Sequence, residues 1–483
     1  MKKYHSIFVF LTVLVLTLPT YSKIFVNRNL VDDFNDIELR INSLANADKA
    51  QIRDTLAEIY AEAERIDVLS YQPEQVKKAA PVLIQKSFET RLRLKEFFSQ
   101  WYSSGRISTK DQSIADLVRK INNFGRYAEE MMGEVLLNKI QPQEAEAHSG
   151  VFSQSYPFTL IASGYENFAW QAGDVILMRG NRHNSAAIAR IGDTDVQFSH
   201  LAIVHKEADQ LYLVEALIEK GLVIDDLKEI LKKGSARFAV YRFEDQQVAA
   251  QAAKDLYLEA LEAQQENRII EYDFSMEMKC DNNKYFCSKA IACGIQKASQ
   301  NTYTFPIFPT YMTMKNRTFL ETLGITVRST FAPQDVEVDP RFRLIREWKD
   351  YSLTSQVRAK DQLASAIFYW MEKYDWKFHE GPIDFVLTFG LKALSYVFGP
   401  IQDAIPYYLD RRIVSLMVAL HLTAEPVYQD ILSMQKSYFS KYGIPMHPRE
   451  ITAFLYKYAE KRPNGIGYLG PKRDPFPPTY PGQ

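Results

Sequence analysis

The sequence predicts an α+β protein: a short β-rich segment with a cysteine-bearing helix, set between two long helical flanks. Three observations lead there. Apolar residues recur at steps of three and four over residues 28–145, and helical patterning returns over about 345–461. Between these flanks, from about Tyr156, short β-rich runs alternate with turns and are followed by helical segments. All three cysteines, Cys280, Cys287 and Cys293, fall within that middle part. The 483 residues are 46% hydrophobic and 24% charged, so core material is ample and about three domains are expected. Net charge is −1, from 58 basic and 59 acidic residues. No clustered basic surplus points to nucleic acid, so no nucleic-acid partner is expected.

The N-terminus comes first. Lys2 and Lys3 precede an apolar run from Ile7 to Pro19, and Thr20-Tyr21-Ser22 supplies small exit residues. This is the pattern of a signal peptide over residues 1–22. The run is short for a membrane span; an uncleaved N-terminal anchor is the alternative. No cysteine follows it, which argues against a lipoprotein anchor. An exported protein, periplasmic or associated with the cell envelope, is the expectation.

Residues 28–145 then read as a helical bundle or hairpin. Leu30, Phe34, Ile37, Ile41 and Leu44 form one stripe, and Ile52, Leu56, Ile59, Ala63 and Ile66 another. Pro73 and Pro81 mark a boundary, and Ser103-Ser104-Gly105 breaks the next helix. A packed helical domain without chemistry is the plain reading; a coiled-coil dimerisation arm is the alternative. In the segment 156–300, strands are expected at Asp174–Met178, Val196–His205, Leu211–Leu217 and Phe238–Phe243. Helices are expected at about Gln246–Gln265 and Ser288–Ser299. In the region 345–461, the apolar stretch from Phe385 to Phe398 reads as a buried core helix, with a lipid-facing or substrate-channel helix as the alternative. The tail 462–483 is rich in Pro and Gly and should be irregular.

The chemistry concentrates in the middle. Phe198–His205 and Leu211–Ala216 read as two strands joined by a polar loop, Lys206–Asp209. That loop pairs His205 with Gln210, Val204 with Leu211, Ala202 with Leu213 and His200 with Glu215. Opposed residues on one sheet face have Cβ atoms about 5 Å apart. A carboxylate on one imidazole nitrogen sets the tautomer and stabilises the imidazolium. A cross-strand salt bridge without catalysis is the alternative for this pair. A helix is expected to open near Cys287, where free N–H groups and positive potential favour a thiolate and can hold an oxyanion. Cys293, inside that helix, reads as a core residue, and Cys280 as a surface residue or disulfide partner. A Cys280–Cys287 disulfide or a simply buried Cys287 are the alternatives for Cys287. An odd set of three cysteines outside the cytoplasm leaves one idle, paired between chains, or reactive.

Seven short motifs then occur in order. They are Gly173-Asp174-Val175-Ile176, Phe198-Ser199-His200-Leu201-Ala202-Ile203, Val214-Glu215-Ala216, Gly221-Leu222-Val223, Val240-Tyr241-Arg242, Tyr272-Asp273 and Tyr285-Phe286-Cys287-Ser288. This succession resembles the YiiX-like permuted papain-fold amidases of the NlpC superfamily, in which the histidine strand precedes the cysteine helix. The resemblance covers about residues 156–300. It implies an antiparallel papain-like sheet with a cysteine-bearing helix. It also implies Cys287 as nucleophile, His200 as general base and Glu215 as the residue that orients the histidine. Tyr272, Ser199 and Tyr285 are candidate substrate contacts. Phe286 and Lys289 depart mildly from the family's pattern.

The function so implied is a cysteine hydrolase, an amidase or peptidase acting through a thioester, with cell-wall peptides as one substrate class. A lipid acyl hydrolase or acyltransferase of the same superfamily is one alternative; a catalytically inactive envelope binding or scaffold protein is another. The partner is then a peptide or lipid acyl substrate in the envelope, with contact to a membrane surface as a further expectation. No metal and no cofactor are expected: His183 and His205 are close in sequence, but His205 falls on the strand face opposite His200, and His148, His379, His421 and His447 are scattered.

Overall fold

A computed structural model describes residues 28–137, 159–232, 235–313, 317–379 and 410–471. The expected signal segment 1–22 and the apolar stretch 385–398 lie outside the described residues, as do 138–145 of the N-terminal helical region and 472–483 of the tail. No described helix is long and apolar enough to cross a membrane.

Four helices come first: α1 (Leu30–Ser43), α2 (Lys49–Ala63), α3 (Pro73–Ser103) and α4 (Gln112–Leu137). Asn29 and Asp48 cap the first two, each accepting a backbone N–H that the helix itself leaves unpaired. The expected apolar stripes are the buried sides of α1 and α2. Pro73 stands in the first turn of α3, where its missing N–H costs nothing. Pro81, expected at a boundary, instead lies inside this helix. One lost hydrogen bond there is offset by burial of Val76, Ala80, Leu83, Ile84 and Phe88 on the same helix.

The sheet follows. Its strands are β1 (Thr159–Ile161), β2 (Val175–Met178), β3 (His200–Glu207), β4 (Gln210–Leu217), β5 (Gly221–Asp226) and β6 (Arg237–Phe243). β7 (Thr310–Tyr311) and β8 (Ser329–Thr330) form a separate ribbon, and β9 (Phe342–Lys349) returns to the main sheet. The seven-stranded order is β1-β9-β6-β2-β3-β4-β5, every pair antiparallel. The connecting helices are α5 (His183–Arg190), α6 (Leu227–Lys232), α7 (Gln246–Gln265), α8 (Cys287–Ala298) and α9 (Arg317–Thr322). α10 (Tyr351–Tyr374), α11 (Arg411–Tyr442) and α12 (Pro448–Glu460) complete the helices, and β10 (Lys377–Phe378) pairs with β11 (Leu469–Gly470).

Several expectations need correction. β3 starts at His200, not at Val196. α8 starts at Cys287, one residue early. The return to helix begins at Tyr351, because residues 342–349 are the sheet strand β9. Its alternation is disguised: Glu347 and Lys349 bear charges yet are buried.

Those charges tie the helical flank to the sheet. Arg91 of α3 forms ion pairs with Glu129 of α4 at 2.9 Å and with Glu347 of β9 at 2.8 Å. Arg126 of α4 pairs with Glu337 and Glu347, and Lys349 pairs with Glu129. Further along α4, Glu130 takes Arg237 of β6, and Glu134 takes Arg358 of α10. Buried charges persist only when paired and hydrogen-bonded, as these are. α4 also meets the start of α10 closely, since a Cβ on Gly133 would stand 2.4 Å from the Tyr351 ring.

Candidate active site

The β3–β4 hairpin brings His200 and Glu215 together, by a register different from the expected one. Ala202 faces Glu215, Val204 faces Leu213 and His205 faces Tyr212. Lys206 and Glu207 stay in the ladder, opposite Leu211 and Gln210, leaving a two-residue loop at Ala208-Asp209. Ala208 takes the turn with φ 51°. Polarity suggested a four-residue loop, but polar side chains at an exposed hairpin end leave the backbone ladder free to continue. The pairing is therefore shifted by two residues. A shift of one would have sent Glu215 to the other face; a shift of two keeps it on the face of His200 as a diagonal neighbour. The His200 Nε2 meets Glu215 Oε2 directly. The Glu215 carboxylate is 4% exposed and the imidazole 19% exposed, so water competes weakly for either. Ala202, Val204 and Leu213 supply an apolar cluster beside them.

Cys287 is the first residue of α8. Phe286 precedes it in extended conformation and no side chain caps the helix, so first-turn N–H groups remain for a ligand oxygen. The thiol is buried and is the one cysteine of the three outside a disulfide. The bridge joins Cys280 to Cys293, with Cα atoms 5.4 Å apart. Cys293 is thus no idle core residue, and a Cys280–Cys287 bridge is ruled out. The loop before α8 folds back along the helix and reaches Cys293, six residues beyond Cys287 or about 9 Å of helix rise.

The same loop is pinned a second time. Lys289, fully buried, donates to Asp273 Oδ2 at 2.5 Å and to Asn282 Oδ1 at 2.8 Å. Burial opposes ionisation of Asp273, but hydrogen bonds from Lys289 and Ser275 outweigh it and hold the carboxyl below its usual range. This Asp273–Lys289 pair was missed. The signal was present in the sequence: Lys289 is a charged residue in the otherwise apolar start of α8.

Electrostatics couple the three central groups. Burial pushes the His200 imidazole down, but the Glu215 charge and hydrogen bonds to Cys287 and Glu215 raise it from 6.5 to about 10. Burial pushes the Cys287 thiol up; the His200 hydrogen bond and charge, with help from Ser288 and the Leu201 N–H, bring it below its ordinary value. With Nε2 committed to Glu215, Nδ1 is the nitrogen left for the thiol. The arrangement can hold a thiolate–imidazolium pair, the form that attacks a carbonyl.

The other expected residues lie close in sequence but have other engagements. Ser199 Oγ accepts the Gly180 N–H at 3.3 Å and is buried. Tyr285 is buried, its hydroxyl donating to Glu259 and accepting from Lys297 at 3.2 Å. Tyr272 and Tyr285 form an isolated backbone bridge, and the Tyr272 ring packs on Phe274 at 5.0 Å. Asp174, buried, binds Arg242 at 2.8 Å, so Gly173-Asp174 serves the fold. His205 points away from His200 and stacks on Tyr257 at 4.3 Å. The expectation of a scattered His421 fails, since it meets His183 beside Glu425.

A histidine strand that precedes the cysteine helix, on an antiparallel sheet flanked by helices, defines the permuted papain-like class. The family described as "Permuted papain-like amidase enzyme, YaeF/YiiX, C92 family" matches residues 169–346, a segment that contains His200, Glu215 and Cys287. The resemblance drawn from the seven motifs is thereby borne out, and amidase or peptidase activity is the activity of the family this segment is similar to. No curated protein matches the chain.

Proposed function

We propose that the protein is an exported cysteine amidase or peptidase, with Cys287 as nucleophile, His200 as base and acid, Glu215 as orienting carboxylate, and cell-wall peptides as substrate. The observation that carries this reading is the position of His200 between Glu215 and the lone free thiol. The Cys287 thiolate attacks the amide carbon, and first-turn N–H groups of α8 hold the oxyanion. The imidazolium protonates the leaving amine, whose departure leaves a thioester. His200 then takes a proton from water, which attacks the thioester and releases the acid. Tyr272 is the candidate substrate contact that remains. Export is supported by the charged and apolar N-terminus and by the Cys280–Cys293 bridge, since disulfides persist in oxidising compartments.

A thiol-directed acyl probe at neutral pH tests the site. Labelling of the wild type should vanish in Cys287→Ala and fall roughly 100-fold in rate in His200→Ala. Undiminished labelling of Cys287→Ala removes the nucleophile from the proposal; an unchanged rate in His200→Ala removes the base. For the substrate, purified cell-wall sacculi should release new amino groups and phospholipid vesicles no fatty acid. The reverse pattern overturns the peptide assignment.

A further inference from the structure

Away from the thiol, the fold gathers a second group of chemically distinctive side chains. His421 and Glu425 stand four residues apart on α11, which places them on one face of that helix. His183, at the first turn of α5, faces them. Its Nε2 lies 2.8 Å from Glu425 Oε2, and its ring centroid is 5.6 Å from that of His421. The three potential donor atoms all lie within 4.8 Å of one another.

We propose that His183, His421 and Glu425 form a binding site for one divalent transition-metal ion of the zinc type. Imidazole and carboxylate are the donors such ions take, and three protein ligands leave a fourth position for water. Metal–ligand bonds of about 2.0–2.2 Å put neighbouring donors on a tetrahedral ion roughly 3.4 Å apart. Small side-chain rotations from the present spread reach that value. Gln429 Nε2 donates to Glu425 Oε1 at 2.6 Å, an outer contact that leaves Oε2 directed at His183. The ion takes the place of the proton between Oε2 and Nε2, and the neutral His183 imidazole then carries its one proton on Nδ1. His183 is buried, Glu425 half-buried and His421 exposed, which opens an entry path on the His421 side. Lys360 is the cation that acts on His183; its Nζ is engaged by Asn181 O at 2.7 Å and lies 4.7 Å above the Tyr428 ring.

The placement of the ligands says what the ion would do. His183 belongs to the family-matched segment, whereas His421 and Glu425 lie on a helix beyond it. The ion would clasp the C-terminal helical flank to the catalytic segment. The backbone after β2 also carries Gly180, whose N–H donates to Ser199, the residue before His200.

The test uses the full chain in a Cys287→Ala background, so that no free thiol competes, after removal of metal with a chelator. Zn²⁺ is titrated against a chromophoric chelator while unfolding is followed by circular dichroism. One equivalent should bind and raise the Tm. Both effects should weaken at least about 100-fold in affinity terms in His421→Ala and in Glu425→Gln. His421 is exposed, so its removal leaves the fold in place. Absence of stoichiometric binding in the parent, meaning a hydrogen bond between helices only, overturns the proposal. So does binding that survives both substitutions.

Discussion

At the scale of single residues, the site is governed by what surrounds one imidazole. His200 is raised to about 10 against the opposing effect of burial, because Glu215 and Cys287 both favour its charged form. The sign follows from the shift. The charged ring stabilises the folded protein fully below pH 6.5 and loses that contribution as pH rises through about 10. Cys287 runs the other way: its thiolate contributes above the ordinary thiol value and is lost as pH falls through its lowered one. The ion pair therefore persists up to about pH 10, and its acid limit lies below the ordinary thiol value. Turnover of the wild type should hold into alkaline solution and decline near pH 10, where the imidazolium that protonates the leaving amine is lost. In Glu215→Gln the alkaline limb should move toward neutrality and the maximal rate fall roughly 100-fold. A pH–rate profile of both proteins checks this; an alkaline limb that stays in place in Glu215→Gln would show that the carboxylate does not sustain the imidazolium.

At the scale of elements, α8 is held in place by the chain that leads into it. The Cys280–Cys293 bridge and the Asp273–Lys289 pair both fasten the preceding loop to this helix. Their effect is to fix the direction in which Cys287 leaves the helix start. Under denaturing conditions without reductant, one thiol per chain should titrate, and with reductant three. The Cys280→Ser/Cys293→Ser double variant should lose about 3 kcal/mol of stability, the size expected for a loop of this length. It should keep its Cys287 reactivity to the extent that the Lys289 contact alone orients the loop. Denaturant unfolding and alkylation rate read the two effects separately, and three thiols without reductant would disprove the pairing.

At the scale of the whole molecule, the helical flank and the sheet share one ionic core. Arg91, Arg126 and Lys349 face Glu129, Glu337 and Glu347, all buried, with charges that balance. Such a network contributes modestly over an apolar core but makes the loss of one partner costly. Arg126→Met leaves Glu337 and Glu347 short of a cation and should destabilise the protein by about 3–5 kcal/mol in urea unfolding. A change under 1 kcal/mol would mean that the flank folds independently of the sheet. α4 accordingly acts as a wall of the sheet's core, with Arg237 and Arg358 reaching it from β6 and α10.

His200, Glu215 and Cys287 were legible because their geometry is local. Two strands of one hairpin put the imidazole and carboxylate on a common face, and that face survived a register displaced by two residues. A helix start was readable from the residues after Cys287. The α+β class followed from periodicity alone. Other features needed the folded chain. β9 was hidden because Glu347 and Lys349 point inward, where only partners from α3 and α4 make charges tolerable. The disulfide depended on how the 273–286 loop lies along α8, which spacing does not determine. The His183–Glu425 contact joins residues 242 apart. Sequence by itself determined the chemistry of short stretches, where backbone period sets which side chains share a face. Tertiary structure decided which distant charges, thiols and imidazoles meet, because burial makes an unpaired group costly and only the complete fold supplies its partner.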